Sequence, residues 1–222
     1  MYNRGYGGPR ISLPRGWDKF DWTRQELHHI RDLYDGDVSL IDEYVGKLLS
    51  GIAEFGLDDE TILVLISDHG EPLGERGKVV RKVRPILHRE QVEVVQILRM
   101  PGGPRDRRIS SICQNFDLTP TLLSLVGIKT PETMEGEDLS SVVMGEEESV
   151  RDKAFCGWRG RRSRGIPVSV RTTEWVYIRS PEGKKLYNAS RDPWEQVNLI
   201  QEKKEVGDYL DSLINNFLKR QL

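Results

Sequence analysis

Apolar side chains recur at helical spacing from Trp22 to about Phe55. Leu27, Ile30, Leu33 and Tyr34 come first; after Gly36 follow Val38, Ile41, Val45, Leu48, Leu49 and Ile52. Steps of three and four residues place these positions on one side of a helix and predict a strong amphipathic stretch. Gly56 is placed to cap it, and Leu57-Asp58-Asp59-Glu60 reads as a polar turn. The period then changes. Thr61 to Ile66 is a continuous β-branched and apolar run, the composition of a parallel strand covered on both faces. It ends at Ser67-Asp68-His69-Gly70, and open α/β sheets place ligands just past the carboxyl ends of their strands.

Glu71 to Glu90 reads as a polar, basic loop carrying Lys78, Arg81, Lys82, Arg84 and Arg89. Val92 to Leu98 is a second candidate strand. Phe116, Leu118, Leu122, Leu123 and Leu125 mark a helix ending at Gly127, with Asp117, Thr119 and Pro120 suited to its first turn. Residues 168–187 alternate around two turn sequences and predict two or three antiparallel strands. Val206 to Leu218 predicts a terminal helix with Tyr209, Leu210, Leu213, Ile214 and Phe217 on one face. The expected fold class is α/β: part of a mixed, mostly parallel sheet flanked by helices, with a small C-terminal antiparallel sheet packed by a terminal helix. The expected division is an irregular lead-in (1–21), an α/β part (22–145) and a small α+β part (146–222).

Composition narrows the function classes. The 222 residues are 37% hydrophobic and 31% charged, and no run approaches the roughly 20 apolar residues of a spanning helix, so no membrane partner is expected. The net charge of −2 implies no polyanionic partner. Arg159, Arg161, Arg162 and Arg164 lie beside Trp158 and two glycines, but no nucleic-acid module accompanies them; a solvated or substrate-facing loop is expected, and no nucleic acid. The N-terminus, Met1 to Gly8, has no apolar core and does not read as a secretion signal. Cys113 and Cys156 stand far apart, outside any CxxC pattern, and read as two free, partly buried thiols. Composition assigns no compartment.

Three places could carry chemistry. A carboxylate oxygen of Asp68 and an imidazole nitrogen of His69 can share one divalent cation; the plainer reading is a turn-capping aspartate beside a solvent-facing histidine. Lys78, Lys82 and Arg84 could neutralise a tetrahedral oxyanion or form an ordinary solvated loop. His88 could donate to a substrate oxygen or protonate a leaving group, or pack against a local carbonyl. Spacing alone leaves each pair of readings open.

The ordered set of segments resembles the sulfatase family of the alkaline phosphatase superfamily, over about residues 22–220. Tyr34 with Ile41-Asp42-Glu43-Tyr44-Val45-Gly46-Lys47-Leu48-Leu49 matches the family's helix before the metal-bearing strand. Thr61 through Glu71, followed by Leu73-Gly74-Glu75-Arg76-Gly77, matches the Ser-Asp-His-Gly-Glu element, with Arg76 in place of a histidine usual before that glycine. Lys82, His88-Arg89-Glu90, Val92 to Leu98 and Pro101-Gly102 follow in the family's order. Asp117-Leu118-Thr119-Pro120-Thr121-Leu122-Leu123 through Gly127, Gly136 to Leu139, Val170-Arg171-Thr172, Trp175-Val176-Tyr177 and Lys185-Leu186-Tyr187-Asn188 continue it. Asp192-Pro193-Trp194-Glu195-Gln196-Val197-Asn198-Leu199 closes it.

The resemblance implies hydrolysis of sulfate esters, with Asp68 and His69 in the metal site, calcium as the ion (manganese or zinc in a phosphatase or phosphonate hydrolase relative), and a small anionic sulfate ester as substrate. It implies that Lys82 contacts the sulfate, with Lys78 as the alternative, and that His88 serves the chemistry. In the family a Cys/Ser-x-Pro-x-Arg element supplies the formylglycine nucleophile; neither Cys113-Gln114-Asn115-Phe116 nor Cys156-Gly157-Trp158-Arg159 fits it. The expectation is therefore a C-terminal portion lacking the nucleophile and inactive alone, with an uncovered face through which it could oligomerise. The alternatives are a phosphatase or phosphonate monoester hydrolase relative, and a non-catalytic binding protein.

Overall fold

The computed structural model describes residues 22–76, 86–157 and 167–220. Arg24–Glu54 form α1, one helix of 31 residues that runs through Gly36 without a break. Its start is a capping box. Thr23 accepts the N–H of Glu26, and the Glu26 carboxylate accepts the Thr23 N–H at 2.8 Å, which satisfies two amides that helix geometry leaves unpaired. Gly56, at φ +68°, turns the chain after it. No helix among the described residues is long and apolar enough to cross a membrane.

Strand β1 (Leu63–Ile66) pairs antiparallel with β2 (Gln96–Arg99), from Leu63 opposite Arg99 to Ile66 opposite Gln96. The apolar run had suggested parallel neighbours and cover on both faces. Among the described residues β1 pairs only with β2, and Leu65 and Ile66 are exposed. The second strand also starts later than its sequence suggested. Arg89–Val92 form a single helical turn, α2, because the Gln91 side chain accepts the N–H groups of Ile86 and Leu87 at 2.8 and 3.1 Å and curls the backbone there.

The described residues fall into two compact units, one of 22–76 and 94–102, the other of 86–93 and 103–220. In the second, α3 (Leu118–Leu125) and α4 (Ser140–Met144) lead into four antiparallel strands in sequence order: β3 (Lys153–Gly157), β4 (Val168–Thr172), β5 (Trp175–Ser180) and β6 (Gly183–Asn188). The final helix is α5 (Lys204–Arg220). The predicted small sheet thus has one strand more than the alternation suggested.

Its register explains its core. Phe155, Val170, Tyr177 and Leu186 lie opposite one another across the four strands, and their side chains meet Leu210 and Ile214 of α5. Phe155 stacks on Phe217 with ring centroids 4.4 Å apart. Because side chains alternate along a strand, the next positions face the other way. There Val176, Ile178 and Tyr187 pack with Leu87, and Val92 and Cys156 pad the cluster. The sheet is therefore covered on one face by α5 and on the other by residues 86–93.

Buried Asp117 ties the loops before the sheet together. It accepts the N–H groups of Gln114 and Glu137 at 2.7 and 2.9 Å and a guanidinium N–H of Arg151 at 2.6 Å. Cys113 is exposed and Cys156 partly buried, and neither forms a disulfide.

Candidate functional site

Asp68 and His69 sit where β1 ends and the chain turns at Gly70. Asp68 Oδ1 accepts the His69 N–H at 3.0 Å, which folds its carboxylate back over the histidine. The His69 Nδ1 lies 2.7 Å from the Gly70 carbonyl oxygen. A proton on Nδ1 is donated to that carbonyl, so in the neutral ring Nε2 carries the lone pair. This is the arrangement in which a metal-binding imidazole is oriented by a backbone carbonyl. Nε2 stands 3.5 Å from Asp68 Oδ2. Donors roughly 2.1–2.6 Å from a shared cation lie about this far apart when they occupy neighbouring coordination positions. The Asp68 side chain is 84% exposed and that of His69 30%, so the pair faces outward.

The following loop is held to α1. The Arg31 Nε–H donates to the Leu73 carbonyl at 3.0 Å, and the Leu73 N–H donates to its neighbour Glu75 at 2.6 Å. Gly74 has φ +98°, and a Cβ there would stand 2.8 Å from Leu27 Cδ2. A side chain at this position would meet both a steric and a conformational obstacle. No group of three or more potential metal ligands is gathered among the described residues; Asp68 and His69 are two potential donors.

Lys78, Lys82 and Arg84 lie outside the described residues, as do Arg159, Arg161, Arg162 and Arg164. His88 belongs to the second unit, Asp68 and His69 to the first. The His88 side chain is only 3% exposed. Its Nδ1 is 2.6 Å from Glu195 Oε2, its ring lies against Tyr187, and its Nε2 is 3.4 Å from Lys185 Nζ. The partner is a carboxylate more than a hundred residues away in sequence, not a local carbonyl. Glu195 Oε1 in turn lies 2.7 Å from the Arg171 guanidinium, and Arg171 donates to the Leu87 carbonyl at 3.0 Å. Leu87 and Glu195 both adopt φ +53°, a left-handed conformation costly for residues with a Cβ. Burial pushes the Glu195 carboxyl up, but the His88 hydrogen bond and the Arg171 charge outweigh it and hold the group below its ordinary range. Arg89 completes the junction by donating to the Pro193 carbonyl at 2.5 Å and lying over the Trp194 ring.

Sequence reasoning singled out His88 but not Glu195 or Arg171. The signal was present in the Asp-Pro-x-Glu of the closing motif and in Val170-Arg171-Thr172, but nothing in the spacing joins them.

Comparison with known proteins fixes the family. The Sulfatase family model matches residues 11–128. The chain belongs to the sulfatase family. Residues 82–221 also match the C-terminal family of N-sulphoglucosamine sulphohydrolase. This sulfatase-family chain is 29% identical over 209 residues to the ulvan-active sulfatase of Formosa agariphila, covering 88% of the chain and 39% of that protein. It is 28% identical to the choline-sulfatase of Rhizobium meliloti, covering 86% and 37% respectively. The chain thus spans well under half the length of these relatives. Among solved structures, BT4656 in complex with its substrate D-glucosamine-2-N,6-O-disulfate superposes with TM-score 0.75 at 25% identity, over 86% of this chain and 40% of that one. A putative sulfatase from Bacteroides thetaiotaomicron reaches TM-score 0.81 at 21% identity, over 99% and 54%.

Proposed function

We propose that this chain carries part of the metal site and the C-terminal unit of a sulfatase-type hydrolase acting on a small anionic sulfate ester. The observation that carries the reading is the Asp68–His69 pair at the end of β1, with its imidazole oriented by the Gly70 carbonyl and its two donor atoms 3.5 Å apart. Family membership supports the reaction class, and the relatives' names, one acting on ulvan and one on a choline ester, support sulfate esters as substrates. Asp68 and His69 would hold a divalent cation. Calcium is the first expectation, because the family's site is rich in hard oxygen donors; manganese or zinc would suit the imidazole. When bound, the cation supplies Lewis-acid polarisation of the ester oxygens. Lys82, with Lys78 as the alternative, would balance the sulfate charge. We assign His88 a holding role rather than proton transfer, since a ring enclosed between Glu195 and Tyr187 reaches a substrate only if that cluster opens.

The test is calorimetric titration with calcium, then manganese and zinc, on the chain and on Asp68→Ala, followed by turnover of an aryl sulfate and an aryl phosphonate ester. The reading expects weak binding that Asp68→Ala abolishes, and aryl sulfate as the preferred ester in any preparation that turns over. Unchanged binding in the variant, or faster turnover of the phosphonate, would overturn it.

A further inference from the structure

His88 stands over the face of the four-stranded sheet that residues 86–93 cover. Arg171 and Lys185 rise from that same face. The register sets Arg171 opposite Val176 and Lys185 opposite Ile178, and both apolar partners pack with Leu87. His88, Arg171, Lys185 and Glu195 all belong to the second unit.

The contacts of the ring fix its charge. Nδ1 is 2.6 Å from Glu195 Oε2 and carries a proton, because an ionised carboxylate only accepts. Lys185 Nζ is 3.4 Å from Nε2. An ammonium has donors and no acceptor, so this contact needs the Nε2 lone pair. The arrangement is that of a neutral ring protonated at Nδ1. A second proton would set an imidazolium against the Lys185 ammonium. The neighbouring elements add little negative charge. β4 brings another cation, Arg171, 2.7 Å from Glu195. The turn of residues 89–92 carries Glu90 and Arg89, and Arg89 pairs with Glu93 at 2.6 Å. Glu93 also lies 4.0 Å from Arg171. β6 contributes the Tyr187 ring, with its centroid 5.4 Å from that of His88. β3 contributes Cys156, a thiol that burial pushes up and so keeps uncharged. In the segment that holds Glu195, Asp192 directs its carboxylate to the Gln196 and Val197 N–H groups.

We propose that His88 and Lys185 form a proton-operated exchange of cations. The neutral ring holds the Lys185 ammonium at Nε2, and proton uptake at Nε2 releases it while the imidazolium stays paired with Glu195. Nε2 is the ring nitrogen with a lone pair, so it takes the incoming proton. Lys185 is half-buried on a flexible four-carbon stem, so its head can swing outward while β6 stays in place. The proton also turns the Nδ1–H bond to Glu195 into an ion pair, so residues 86–93 remain fastened. Acidification thus presents a mobile ammonium at the surface of the second unit without opening its core. The proposal does not depend on the metal reading above.

The test is nitrogen-15 NMR of the intact chain, titrated across the ordinary imidazole value of about 6.5, with His88 assigned through its contact with Tyr187. At the alkaline end His88 should carry one ring proton, on Nδ1, and the Lys185 ammonium should give a signal protected from exchange with water. As the pH falls, Nε2 should gain its proton and the ammonium signal should be lost at the same midpoint. Lys185→Met removes the competing charge, so His88 should then take up its second proton at higher pH. Lys184→Met, on the opposite face beside Asp211, should leave that midpoint unchanged. A proton on Nε2 at the alkaline end would overturn the proposal. So would a Lys185 signal that persists after the ring is doubly protonated, or a midpoint that Lys185→Met does not move. The first two readouts come from the unsubstituted chain, so they decide the matter even if Lys185→Met fails to fold.

Discussion

The two units solve the problem of covering a sheet in opposite ways. In the second, four antiparallel strands are enclosed by α5 on one face and by residues 86–93 on the other, and Val170, Tyr177, Leu186 and Ile214 have essentially no exposed surface. In the first, two strands and a helix of 31 residues bury almost nothing of their own, although the helix is well capped and strongly patterned. Local signals are as good in the first unit as in the second; what differs is whether the described residues supply the opposing layer. Capping and periodicity make an element ready to form, but most helix stability in proteins comes from packing of the apolar face.

The contrast should appear in stability measurements, the largest effect coming from the buried ionic cluster. Glu195→Ala leaves Arg171 and His88 without their carboxylate. Urea unfolding of the second unit should show a loss of about 3–5 kcal/mol, the scale for removing one partner of a buried pair. A loss too small to measure would mean that the cluster is solvated and the second unit less closed than described. Next is a matched pair of core truncations. Ile214→Ala should cost about 2–5 kcal/mol, whereas Ile41→Ala, at an exposed apolar position, should stay within about 0.5 kcal/mol in the chain alone. Equal costs would remove the distinction between the units. Gly74→Ala examines the one tight contact described in the first unit: forcing a Cβ against Leu27 at φ +98° should cost about 1–3 kcal/mol, read as faster exchange at Leu73 and Glu75.

The smallest effect is acid sensitivity. Asp211 is a second carboxylate held below its ordinary range. Burial opposes this, but the Tyr177 hydroxyl and the Lys184 and Arg179 charges outweigh burial. For both Glu195 and Asp211 the folded state binds its proton less readily than the unfolded chain. The stabilisation is therefore fully present above the ordinary carboxylate range and is lost as pH falls through it and below, toward the lowered folded values. Thermal melts of the second unit should decline below about pH 4.5, near the ordinary glutamate value. Asp211→Asn should flatten that decline, because the amide keeps the Tyr177 contact without titrating. A pH-independent melt across that range would contradict the assigned pairings.

Much of this was readable before the fold was known. The apolar period of α1, the Thr61 to Ile66 strand, the turn at Gly127 and the apolar stripe of α5 all follow from residues a few positions apart, and so does the placement of Asp68 and His69 at a strand end. The capping box of Thr23 and Glu26 was missed, although its signal needs only two residues at fixed spacing. Harder were the elements whose pattern is short or interrupted. β3, Lys-Ala-Phe-Cys-Gly, has one strong β former among five residues, and its pairing with β4 makes it a strand. Val92 carries a β-branched side chain yet ends a helical turn, because Gln91 turns back to bond two amides.

By itself the sequence determined the α/β class, the main helices and strands, the family and the residue types at the candidate metal site, because each rests on local periodicity or an ordered set of motifs. Only the tertiary structure decided that His88 is locked to Glu195 and Arg171, that residues 86–93 form the second cover of the C-terminal sheet, and that the apolar side of α1 remains uncovered. Those facts depend on groups far apart along the chain, and no spacing rule links a histidine to a carboxylate that the fold alone brings within 2.6 Å.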